Sequence, residues 1–380
     1  IYPHDHVADE FYVRAVKGYD TAETAAMVET GIAGLDAAEY RNWLYGLTHF
    51  VIADSRYYQQ DIAGALASSL EAERRLVAAG ATGGEIMAET LSNMAAFYTG
   101  VGQPEKDVPL QQRSLQIRNA LYGYDPERVP PADAKPLGLG YLNYAVALYE
   151  AGRFGDAAKY VDPAIKGLVR GGMTDSTLFV ALSSGANIYI DAGRQIDALR
   201  LARQGVAKAN ELLPADHPFH GFAQATLAKV LLQAGRYEEA EQPGRNALDI
   251  MTERLGPTHR HTLVALHNLG VVQMRLGQYD EAIALMLARH ERLTEIDPGE
   301  AVNSLLSASN AALEAGRDDE AMQLALKGAS LARELPVEDE KALRGLLTLA
   351  LRYNENGETD AALGVIEEIE TRASITGIEP

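Results

Sequence analysis

The sequence predicts an all-α solenoid of about eight antiparallel helix pairs, and three recurrences held in register predict it. The first is "GRYEEA" at Gly235, which returns as "GRFGDA" at Gly152, "GRQIDA" at Gly193, "GQYDEA" at Gly277, "GRDDEA" at Gly316 and "GETDAA" at Gly357. These glycines are spaced by 41, 42, 42, 39 and 41 residues. The second is an alanine five places after each glycine. The third is a small residue seven places before it: Ala145, Ala186, Ala228, Gly270, Ser309 and Ala350. Weaker copies extend the register to Gly102 in "GQPEKD" and to Gln60 in "QDIAGA", with Ala95 and Ala53 at the small position. A fixed period of this size marks units that bury their apolar faces only by stacking on one another.

Each part of a unit has a physical reason. A small residue is needed where two helices approach too closely for a large side chain between their axes. The glycine suits a left-handed helix C-terminus, and the acidic residues after it complement the dipole at the start of a second helix. Apolar residues in the second helices, such as Ala240, Ala247, Leu248 and Ile250, recur at helical spacing and read as packing. The repeats are expected near 36–80, 83–122, 137–171, 174–213, 217–254, 259–296, 299–335 and 338–372. An N-terminal helical cap precedes them over 1–34, with Trp43 just beyond as a core anchor, and a tail follows over 374–380. The 50 residues between Gly102 and Gly152 hold a surplus, placed in "YGYDPERVPPADAKPLGLG", whose four prolines predict a long loop. The last helix still carries Leu363, Val365, Ile366 and Ile369, so a further segment or another subunit is expected to cover it.

Composition narrows the function classes. A chain of 380 residues exceeds the usual span of one compact core, as a repeat array does. Fifty-three acidic against 34 basic residues give a net charge of -19, which repels nucleic acid and anionic membranes and favours basic partners. With no cysteine there is no disulfide, thiolate nucleophile or cysteine-bound metal. No apolar run reaches membrane-spanning length. A cytoplasmic location is expected, or a periplasmic one if Ile1 follows a removed leader.

Small residue, glycine, aromatic and alanine at these offsets resemble the tetratricopeptide repeat. "GRYEEAEQPGRNALDIMTERLGPTHRHTLVALHNLG" is similar to the long repeat of kinesin light chains and many bacterial regulators. The resemblance covers roughly residues 36 to 373 and implies a right-handed superhelix whose first helices line an inner groove. Departures are Asp107 in place of the alanine, Gln60 in place of the glycine, and the surplus after Gly102. Pro109 and Pro243 fall near positions where the long repeat carries proline, so an early-turn position or a kink is expected there.

The groove position lies nine places before each glycine and holds Val51, Asn93, Asn143, Ser184, Thr226, Asn268, Ser307 and Thr348. Seven of the eight can hydrogen-bond, as amides and hydroxyls that grip an extended peptide backbone would. The plain alternative is a wet helix face. Asn187 and Asn310 add donors three places further along, Lys229 stands four places after Ala225, and Arg275 interrupts an acidic edge of Glu150, Asp191, Glu314 and Glu355. That edge suggests a basic ligand. The chaperone-type dicarboxylate clamp needs Lys and Asn four apart on a first helix. The pairs Phe50 and Asp54, Ser183 and Asn187, Ala225 and Lys229, His267 and Val271, and Leu306 and Asn310 do not supply it.

Catalysis is not expected. His259, His261 and His267 lie in a segment similar to the ordinary turn between long repeats, where His caps or packs, and His4 and His6 lack an evident carboxylate partner. No nucleophile elbow, phosphate loop or zinc-protease helix is present, and "GLGY" and "SSGAN" are lone fragments. The reading is therefore a non-enzymatic protein-interaction scaffold without cofactor or metal. Two alternatives stand beside it: the sensor half of a larger bacterial effector, such as one bearing a caspase-like protease, and a receptor for a signalling peptide.

Overall fold

The computed structural model describes residues 34–214, 216–337 and 339–376, so the N-terminal cap expected over 1–34, with His4 and His6, lies outside the described residues but for its last position. Sixteen α-helices follow one another there. They are α1 Ala37–Tyr58, α2 Ile62–Ala78, α3 Glu85–Gly100, α4 Asp107–Tyr122, α5 Pro131–Glu150, α6 Phe154–Arg170, α7 Ser176–Asp191, α8 Gln195–Leu212, α9 Phe219–Gln233, α10 Tyr237–Leu255, α11 Arg260–Arg275, α12 Tyr279–Leu293, α13 Pro298–Glu314, α14 Asp318–Glu334, α15 Glu340–Glu355 and α16 Thr359–Thr376. Odd-numbered helices are the first of each pair and even-numbered ones the second. The fold is the all-α solenoid of helix pairs that the period implies. It divides within α8 into two compact units, residues 1–198 and 199–380.

Every first helix ends the same way. The residue at the glycine register has positive φ, from 71° at Gly316 to 80° at Gly102, and Gln60 adopts φ 64° without being glycine. In the third pair, the Gly152 amide donates to the Tyr149 carbonyl and the Arg153 amide to Leu148, which satisfies the last carbonyls of α5 while the chain reverses. The same two bonds close the other pairs. In four pairs an arginine follows, directly before the second helix, and an acid three places on meets it: Arg153 with Asp156, Arg194 with Asp197, Arg236 with Glu239, Arg317 with Glu320.

Packing follows the register. The small residues seven places before the turn are buried, from Ala53 to Ala350, and Ser309 among them donates its hydroxyl to the carbonyl of Ala321, the alanine five places after Gly316. At Gly270 even a methyl group would come within 2.7 Å of Met286 Cε on the second helix. Trp43 is 1% exposed and sits with Leu76, Met87, Leu91 and Met94 in the core of the first unit.

The proline-rich surplus is one point of correction. Much of it is helix instead of loop, because α5 begins at Pro131, where the missing N–H has no intrahelical partner to lose, and Pro130 before it is extended at φ -55° and ψ 151°. Pro136 lies inside α5, at the loss of one backbone bond. The two glycines of "GLGY" serve packing: a methyl on Gly138 would meet the backbone of Leu168 at 2.7 Å, and one on Gly140 the Arg118 side chain at 3.0 Å. At the far end Val365 and Ile369 turn into the core, while Leu363 and Ile366 are 51% and 40% exposed.

Two substitutions test this reading by urea unfolding. Gly138→Ala is expected to cost about 1–3 kcal/mol through overpacking, whereas Gly155→Ala, with open space around it, costs nothing. Gln60→Gly is expected to gain about 1 kcal/mol by relieving the left-handed conformation.

Candidate functional site

Curvature within each unit sets which helices lie inside. Some successive first helices touch one another, α5 on α7 in the first unit, α9 on α11 and α13 on α15 in the second, a contact not matched among the second helices α2, α4 and α6 or α10, α12, α14 and α16 as described. The first helices therefore form the inner row, and the groove positions lie on them. All eight of those positions, Val51 to Thr348, are half-buried on the first helices, outside the core.

Their hydrogen bonds divide them. Thr226, Ser307 and Thr348 donate at 3.0 Å to carbonyls one turn back, on Phe222, Asn303 and Arg344, which leaves their lone pairs as acceptors. Asn93 donates at 3.1 Å to Asp54 of the preceding first helix. Asn310 accepts at 3.2 Å from Arg352, 42 residues on. Asn143, Asn187 and Lys229 are each engaged with a neighbour, and Ser184 and Asn268 make no side-chain bond among the described residues. Through Asn93 and Asn310 the row thus joins successive repeats, a role that the periodicity did not disclose.

The acidic edge differs between units. In the second, Arg352 pairs with Glu355 at 2.7 Å and Arg275 stands 3.9 Å from Glu314, so the edge is largely compensated. In the first, Asp191 accepts the Tyr149 hydroxyl at 2.6 Å, and burial pushes the Asp54 carboxyl up to about 7. Burial, with the nearby Glu150 charge, pushes Asp107 up to about 6. Asp107 occupies the place that other pairs give to a buried alanine, and its Oδ1 is buried without a partner.

The histidines have structural places. His259 caps α11 by accepting from the His261 amide at 3.3 Å, and His261 packs edge-on against Phe222 at 4.8 Å. Burial and the Arg289 charge hold His267 below the ordinary histidine pKa. Among the described residues no three His, Asp or Glu side chains are grouped to hold a metal ion. Sequence reasoning missed the clasp at Arg289, which is buried and donates to the Leu263 carbonyl at 3.1 Å, Ser304 at 2.7 Å and Glu300 at 2.7 Å. Lys341 closes it from α15, 3.1 Å from Glu300. Burial alone would raise the Glu300 carboxyl, but these cations hold it down to about 2.

The tetratricopeptide-repeat family matches at residues 87–127, 180–219 and 222–295. The chain carries tetratricopeptide repeats over these stretches. Among solved structures, the apo form of RapI is 12% identical, covering 87% of this chain and 88% of its own, with a TM-score of 0.60. A signal transduction ATPase from Pyrococcus horikoshii with a tetratricopeptide-repeat sensor is 14% identical; it covers 98% of this chain, which spans 54% of that protein, with a TM-score of 0.59. Repeats of a Podosopora anserina protein described as a kinesin light chain are 23% identical over 53% of this chain and 97% of theirs, with a TM-score of 0.48. At these identities the likeness is one of fold. A comparison with curated proteins finds no match. No described helix of the tetratricopeptide array is long and apolar enough to cross a membrane.

Two carboxyls give pH and stability tests. The folded chain holds a proton on Asp54 that the unfolded chain releases from about pH 4 upward, so this contribution to stability is present at low pH and is lost as pH rises through about 7. Fluorescence of Trp43, the single tryptophan and on the same helix, is expected to show a urea midpoint that falls from about pH 5 to about pH 8 and flattens in Asp54→Asn. Asp107→Ala is expected to stabilise the first unit by about 1–3 kcal/mol in the same assay, by removing an unpaired buried oxygen.

Proposed function

We propose that the tetratricopeptide array is a protein-interaction scaffold that holds an extended polypeptide along the inner row of first helices. The observation that carries this is the groove position itself: a hydrogen-bonding side chain recurs there in seven of eight repeats, at the same half-buried depth. Amides and hydroxyls so placed reach both N–H and C=O groups of a backbone laid across the helices, which fixes the ligand's path while leaving its sequence open. The first unit favours a basic ligand, because Glu150 and Asp191 stand at the acidic edge of its first helices. A net charge of -19 supports a polypeptide partner over nucleic acid.

A second reading makes the array the sensor part of a larger regulatory protein. Its support is the shared fold over 98% of this chain with a protein described as carrying a tetratricopeptide-repeat sensor. On that reading, peptide binding changes the radius of gyration measured by X-ray scattering; on the scaffold reading, it does not.

Fluorescence anisotropy against a library of unstructured peptides tests the inner row. Selected peptides are expected to bind the unmodified protein and to lose about tenfold in affinity when two asparagines of one unit are removed, as in Asn93→Ala with Asn143→Ala. Peptides that bind these variants and the Asn268→Ala, Asn310→Ala pair as tightly as the parent would place the ligand elsewhere and sink the proposal.

A further inference from the structure

On the outer side of the second unit, α10 and α12 stand apart with α11 beneath them, and a cavity of about 510 Å³ opens between. Its floor is Leu266, buried with Leu263 and Leu293, and its walls are Leu248 and Leu285, the half-covered edge of that same core cluster. The core is thus open to solvent here, and the register explains why. Places 7 and 11 after the glycine carry Gln242 and Asn246 in the preceding repeat and Gln323 and Lys327 in the following one, but Ala284 and Ala288 in this one. Side chains long enough to cover the apolar wall are missing from one groove, and the two alanines lie one turn apart on the same helical face.

The rim is acidic. Asp249 and Glu253 stand one turn apart on α10, both exposed. Glu281 is taken up by Arg245 at 2.6 Å, Glu253 meets only its chain neighbour Arg254 at 3.3 Å, and Asp249 has no cation within ion-pair distance among the described residues. Arg292, at the far end, is directed to the Pro257 carbonyl at 3.4 Å.

We propose that this outer groove docks an amphipathic helix of a partner protein, with leucine-sized residues on its buried ridge and lysine or arginine beside Asp249 and Glu253. A groove between two helices, low on one wall because of alanines, matches the ridge of a third helix. A chain of net charge -19 steers a basic partner towards such a rim. The inner row is a separate surface, and neither reading depends on the other.

The probe is a fluorescein-labelled helix of about 18 residues, about five turns, with leucines at i and i+4 on one face and flanking lysines. A second probe replaces the lysines by glutamates, and both are titrated against the full chain by anisotropy. The lysine probe is expected to bind about tenfold more tightly than the glutamate probe, and Asp249→Lys with Glu253→Lys to reverse that order. Both sites are exposed, so the fold survives the change, which circular dichroism checks; Leu285→Glu should weaken both probes. Equal binding of the two probes, no binding, or indifference to the charge reversal overturns the proposal. So does loss of binding in Asn268→Ala with Asn310→Ala, which would move the helix to the inner row. A dimer in sedimentation that Leu285→Glu dissolves would assign the groove to a second copy of this chain, and would equally overturn it.

Discussion

Two antiparallel helices can share a buried face only if something lets their axes come close, and in this chain that permission is given at one place per repeat. Seven residues before each turn stands Ala, Gly or Ser, and five residues after it an alanine in every pair but the second, which has Asp107. Where the first is glycine, Met286 fills the space, and where it is serine, the hydroxyl finds the carbonyl of Ala321. The left-handed residue between them allows the chain to reverse within this distance. Helix pairing, inner row and outer grooves are all consequences of that contact, because it fixes how each pair presents its remaining faces to the next.

Polar groups then tie neighbouring pairs, at a cost that varies along the chain. Arg289 is fully engaged by carbonyls, a serine and a carboxylate, so its burial is compensated. The Asp54–Asn93 pair is only half compensated, and the Asp54 carboxyl reverts towards its neutral form. Asp107 has neither cation nor partner for its inner oxygen, and sits where every other pair has a methyl group. The first unit thus answers burial by raising its carboxyls towards the neutral form, and the second by setting Arg289 and Lys341 around Glu300.

Legibility in the sequence followed periodicity. The turn glycines, the small contact residues and the half-buried groove row repeat, so their positions could be read from Gly152 to Gly357 without any structure. Gln60 was readable only because its neighbours held the register. What does not repeat was not legible: the entry of α5 at Pro131, the reach of Arg289 across three helices, and the pairing of Arg352 with Glu355 depend on tertiary neighbours. The outer groove had a signal, the two alanines at places held by Gln242 and Asn246 in the preceding repeat and by Gln323 and Lys327 in the following one, but its meaning needed Leu248 and Leu285 to be seen at the edge of a core. The half-buried row was legible, yet the bonds its members make were not, because spacing says where a side chain stands and not what it already holds.

The reversal at each turn also governs how such a chain is assembled in time. The principal helix contacts among the described residues join neighbours one or two places along the chain, and ties between repeats link residues 36 apart from Arg245 to Glu281 and 42 apart from Tyr149 to Asp191. Closing loops of that length carries a modest entropy cost that does not grow with the number of repeats. A growing chain can therefore order its first pairs before its last have been synthesised, each completed pair serving as the template for the next.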